Sequence, residues 1–146
     1  MTKAYNKFFI NGEWVEHSGR STLDVINPAT EEAFATISMG TADDVDAAAK
    51  AARAAFPAWS QSTIDERKAV IGNIIAGMKA RGDEISTAIS NEMGAPMGLA
   101  KTAQLGSGMG HFANILGILD SYEFEEVRGS TKIVKEAAGV CGFITP

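Results

Sequence analysis

From Phe8 to Val15 the chain reads FFINGEWV, two apolar patches on either side of Asn11-Gly12. That dipeptide tolerates the positive φ angles of a type I′ turn, so the pattern predicts a β-hairpin. Leu23 to Ile37, LDVINPATEEAFATI, predicts a second strand pair, with Asn27-Pro28 opening the turn and alternation resuming at Ala33. At Thr41 the period lengthens. Val45, Ala48, Ala49, Ala52, Ala55 and Phe56 fall at helix spacing. Thr41 stands in the N-cap position, with Asp43 and Asp44 in the first turn, where the positive helix end favours negative charge. Pro57 and Trp59 are expected to end this helix.

A second helix is expected to start at Thr63, with Glu66 three residues on completing a capping box. Ile64, Ile71, Ile74, Ile75 and Met78 form its apolar stripe, and Gly82 is expected at C′. Asp83 is expected to cap a shorter helix with Ile85, Ala88 and Ile89 inward, closed by Gly94 and Pro96. A long helix should follow from about Gly98 to Leu119, carrying Leu99, Ala103, Met109, Phe112, Ile115, Leu116 and Leu119. After Glu123 the stretch EFEEVRGSTKIVKEA alternates with charges around Ile133 and Val134, as an exposed ribbon does. Val140 to Ile144 is continuously apolar and reads as a core strand covered on both faces. No other segment resembles its parallel partner, so the expected α/β fold is incomplete within these residues.

Composition narrows the function classes. Of 146 residues, 45% are hydrophobic and 21% charged, as in globular proteins, and no apolar run approaches the roughly 20 residues of a bilayer span. The formal charge is −5 with no Lys/Arg cluster, which argues against a nucleic-acid partner. The N-terminal MTKAYNKFFINGEW has no signal-peptide core, and a single cysteine cannot form an internal disulfide. The expectation is a cytoplasmic protein with no membrane partner.

Candidate chemistry is sparse. GSGMG, residues 106–110, lacks the spacing of a dinucleotide fingerprint, because the sixth position is His111 and a helical segment precedes it. It also lacks the Gly-Lys-Ser/Thr of a phosphate loop. It is read as a glycine-rich helix face that lets another element approach closely. Cys141, mid-strand between Val140 and Gly142, is expected to be buried and inert. His17 lies in a polar turn and His111 beside Phe112 at a core edge, and neither is spaced with acids or cysteine for zinc. Glu31-Glu32, Asp43-Asp44 and Glu125-Glu126 are neighbours in sequence, which do not face a common point. No complete catalytic set is present, so no residue is assigned a catalytic role.

The ordered set FINGEW, NPATEE, TADDVDAAAKAARAAFPAW, ERKAVI and GVCGFITP resembles the N-terminal part of the NAD(P)-dependent aldehyde dehydrogenase superfamily, over nearly the whole chain. The resemblance implies an incomplete aldehyde-dehydrogenase-like fold, roughly the first third of a family member. Residues 1–122 would be hairpins and helices of the cofactor-binding domain, 123–138 a ribbon of the oligomerisation element, and 139–146 an early strand of the cofactor-binding sheet. Ile144, Thr145 and Pro146 match the segment that lines the NAD or NADP site, before the Trp-Asn that usually follows. Cys141 matches a strand cysteine, not the nucleophile. The long helix resembles the one bordering the aldehyde entrance tunnel. Two backbone carbonyls and a carboxylate that hold a monovalent cation in some members match Val25, Ile26 and Glu92, where the acid is often aspartate. Ala137 stands where proline is common. The resemblance further implies a small aldehyde substrate and homo-oligomeric assembly for the whole enzyme, and an inactive 146-residue piece. The alternative reading is a noncatalytic module for self-association or subunit binding.

Overall fold

The structure is a computed structural model and describes residues 3–16 and 18–144. His17, Thr145 and Pro146, singled out above, lie outside the described residues. The chain divides into two compact units, one made of Met1–Tyr5, Thr22–Ile37 and Thr63–Ser121, the other of Asn6–Ser21, Ser38–Ser62 and Tyr122–Pro146.

In the first unit, β1 (Lys3–Tyr5), β4 (Thr22–Asn27) and β5 (Glu32–Ser38) form a sheet in the order β1-β5-β4. The second strand pair is where the alternation puts it. Its turn is tightened by the Asn27 side chain, whose Oδ1 accepts from Ala29 N at 2.9 Å, and by Glu31 in the left-handed region at φ 61°. The short parallel pairing of β1 with β5, Lys3 opposite Ala35 and Tyr5 opposite Ile37, has no local signal in the sequence.

Two helices follow in this unit. α2 (Ile64–Ala80) starts at the expected capping box, with Glu66 N donating to Thr63 Oγ1 at 3.2 Å and Thr63 N donating to Glu66 Oε2 at 2.7 Å. A single residue, Arg81, separates α2 from α3 (Gly82–Met93), so Gly82 opens α3 instead of closing α2. The break falls on Arg81 at φ −107°, ψ 20°, a conformation open to any residue, and no left-handed glycine cap is required. Asp83 therefore sits inside the first turn of α3, where its carboxylate pairs with Lys101 at 2.7 Å, and does not cap it. Gly94 ends α3 in the left-handed conformation, as expected.

The long helix is present with an interruption. α4 (Met97–Leu99) runs into a π-helical segment, Ala100–Leu105, and then into α5 (Gly106–Leu119). Ala100 and Leu105 are buried, at 0% and 7% exposure. In an α-helix, residues five apart point about 140° from each other. The wider i→i+5 turn brings both toward one side, where the segment packs on α3. A Cβ on Gly82 would stand 3.5 Å from Leu105 Cδ2, which places Leu105 against the start of α3. The glycine run is helical, as read. A Cβ on Gly108 would stand 3.3 Å from Met78 Cε, so this glycine lies close against α2.

In the second unit, β2 (Lys7–Ile10) and β3 (Glu13–Glu16) form the predicted hairpin, with Asn11 at φ 54° and Gly12 at φ 82°. α1 (Ala42–Ser60) begins after Thr41 but passes through Pro57 and stops three residues beyond it. Proline lacks the N–H that an interior helical residue donates to the carbonyl four positions back. Ser60 Oγ donates to the Pro57 carbonyl at 2.9 Å in the last turn. The ribbon is a hairpin of β6 (Glu125–Arg128) and β7 (Thr131–Val134) turned at Gly129, φ 60°.

The tail departs from expectation. Val140 to Ile144 is not a paired strand, and Phe143 and Ile144 are 91% and 99% exposed. An apolar run becomes a core strand only where neighbouring strands receive its hydrogen bonds, and none of the described strands lies beside it. Cys141 is accordingly exposed, not buried. The buried apolar side chains among the described residues are Ala35, Ala95, Ala100 and Leu105, so Ile74, Ile115 and most large residues of the predicted stripes stay partly exposed. No helix of the described residues is long and apolar enough to cross a membrane.

Candidate functional site

The first unit contains a cavity of about 1020 Å³ between the three-stranded sheet and α3. Strand alternation and helix packing build it together. β4 and β5 contribute Val25, Ile26, Phe34 and Ile37, while α3, packed on β4, contributes Asn91 and Glu92. Asn27 Nδ2 donates to Asn91 Oδ1 at 3.5 Å and ties the end of β4 to the last turns of α3. Gly94 then turns the chain against Pro28, with room for no side chain, because a Cβ would stand 2.9 Å from Pro28 Cγ. The three residues matched to a cation site, Val25, Ile26 and Glu92, thus line one cavity although 66 positions separate Ile26 from Glu92.

The cavity is electrostatically lopsided. Its lining holds four carboxylates, Asp24, Asp83, Glu84 and Glu92, and one ammonium, Lys3. Two of the acids are engaged elsewhere. Lys101 holds the Asp83 carboxyl below the usual range through a hydrogen bond, and Arg81, 2.7 Å from Glu84, does the same there. Lys3 lies 4.8 Å from the Tyr5 ring centroid, and its ammonium is held above its usual range chiefly by Tyr5 and less by Glu84. A cavity of this sign attracts cations. Asp24 and Lys3 were not singled out from sequence. Asp24 had a signal, since it directly precedes the matched pair on the same strand. Lys3 had none, because only the β1–β5 pairing brings it there. Among the described residues no three His, Cys, Asp or Glu converge as metal ligands. Asp24 and Glu92 are the lining carboxylates outside those two pairs.

The other matched segment is not assembled. Ile144 lies in the exposed tail and lines no described cavity. His111 is exposed on α5, and the Cys141 sulfur lies 4.0 Å from the Gly139 carbonyl. A second cavity of about 390 Å³ lies where α2 meets α3, but its Arg81 and Lys101 are the cations already paired with Glu84 and Asp83. The exposed thiol has a direct consequence. Cys141 is expected to react with a disulfide reagent such as DTNB at one equivalent per chain without denaturant, and Cys141→Ser at none. A thiol that titrates only after unfolding would contradict the exposed tail.

With the geometry in place, comparison with known proteins decides the family. Residues 14–146 match the aldehyde dehydrogenase family. The chain belongs to the aldehyde dehydrogenase family. Over 143 residues it is 46% identical to the 3-succinoylsemialdehyde-pyridine dehydrogenase of a Pseudomonas species, covering 97% of this chain and 30% of that protein. Its structure resembles an aldehyde dehydrogenase of Bartonella henselae, with a TM-score of 0.84 and 36% identity over 88% of this chain and 28% of the other. It also resembles a mutant aldehyde dehydrogenase C of Pseudomonas syringae, solved with NAD+ and octanal. There the TM-score is 0.83, with 39% identity over 87% of this chain and 26% of the other. The chain thus spans about 30% of the length of the curated relatives it matches, and its α/β architecture is that of a part of the aldehyde dehydrogenase fold. The resemblance read from FINGEW through GVCGFITP is therefore borne out, as is the incomplete fold.

Proposed function

We propose that these 146 residues act as the N-terminal part of a cytoplasmic NAD(P)-dependent aldehyde dehydrogenase. The whole enzyme would oxidise an aldehyde to a carboxylic acid through a cysteine thiohemiacetal. What supports this is the match over residues 14–146 at about 30% of the relatives' length. The cofactor would supply hydride acceptance. Among the described residues matched to its site, Ile144 is 99% exposed and lines neither described cavity. In the proposed reading Ile144, Thr145 and Pro146 become a wall of its site only when the remaining sheet covers them. None of the described residues acts as nucleophile or base. The exposed β6–β7 hairpin, whose Val127 is 71% exposed, would pair subunits into a homo-oligomer.

The test is a chimera in which these residues replace the matched positions of the Pseudomonas relative. The chimera is expected to reduce NAD+ or NADP+ with aldehydes, read at 340 nm, and the 146-residue chain alone to show no turnover. A folded but inactive chimera, or turnover by the chain alone, would overturn the reading. The same exposed hairpin favours a second reading, a noncatalytic association module, which a monodisperse monomer in light scattering would exclude.

The acidic cavity supports a monovalent cation held by the Val25 and Ile26 carbonyls and the Glu92 carboxylate. Oxygen donors of low total charge suit a hard, weakly charged ion. Sodium or potassium is expected to raise the thermal midpoint of the chimera. Glu92→Gln should remove most of that dependence while leaving the midpoint in a large organic cation nearly unchanged. An equal salt response in both proteins would reject the site.

A further inference from the structure

We draw no further inference here: the strongest candidate, the acidic cavity between the three-stranded sheet and α3, belongs to the site already described, and nothing in the structure shows what covers its apolar wall.

Discussion

Gly94→Val is expected to destabilise the first unit by about 3 kcal/mol, the sum of two costs of roughly 1–2 and 1–3 kcal/mol. The first is conformational. Gly94 closes α3 at φ 72°, ψ 13°, where a Cβ crowds the carbonyl oxygen and a branched one crowds it more. The second is steric. The added Cβ would lie 2.9 Å from Pro28 Cγ, and a pyrrolidine ring cannot swing aside as the end of a long side chain can. The loss is large against the 5–15 kcal/mol typical of whole domains, and the buried apolar set among the described residues is three alanines and a leucine. Urea unfolding followed by far-ultraviolet circular dichroism should show the midpoint fall. Gly94→Asn should cost less, since asparagine tolerates the left-handed region and retains only the clash. A valine variant with an unchanged midpoint would mean that the contact with Pro28 is not made. The effect reaches the candidate site, because this contact holds the end of α3, and so Glu92, against the strand of Val25 and Ile26.

Asp44→Ala is the second large effect, expected at about 2–3 kcal/mol in the second unit, less than the loss of a fully buried ion-pair partner because Arg20 keeps some solvent. Asp44 is 7% exposed and accepts from both Thr41 and Arg20, its Oδ2 also taking the Thr41 hydroxyl at 3.0 Å. Its Oδ2 accepts from the backbone nitrogen of Thr41 at 2.8 Å, satisfying a donor at the start of α1, and its Oδ1 stands 2.8 Å from Arg20 Nη2. The Arg20 side chain is 18% exposed, and its Nε is buried without a partner among the described residues. Without Asp44 the guanidinium keeps its hydrogen bond to the Thr41 hydroxyl, 2.9 Å from Nη1. A desolvated cation left short of acceptors is costly. Hydrogen exchange in the first turns of α1 should rise with the loss. Arg20→Ala added to Asp44→Ala should restore part of it, since the stranded charge is then gone. Strictly additive losses would show that the two side chains are not coupled.

These two sites differ in how much of them can be read along the chain, and the difference is physical. Gly94 is a local event: a glycine after a helical stripe, followed by Pro96, marks a left-handed stop whatever lies around it. Thr63 with Glu66, Asn11-Gly12 and the Asn27-Pro28 turn are of the same kind, because their hydrogen bonds and φ angles involve residues no more than a few positions apart. Thr41 was legible as a cap, but its Arg20 neighbour was not, since 21 residues separate them. Of the candidate site, Val25, Ile26 and Glu92 were reached through resemblance, and no periodicity joins them.

By itself, then, the sequence determined the family, the order of hairpins and helices, most helix starts and the turns, all of which rest on short-range sterics and hydrogen bonds. Only the tertiary structure decided the parallel β1–β5 pairing, the π turn that brings Ala100 and Leu105 toward α3, and the one-residue join at Arg81. It also decided that Val140 to Ile144 stays open. An apolar pattern states what a segment would bury, and only a partner surface in place determines whether it does so.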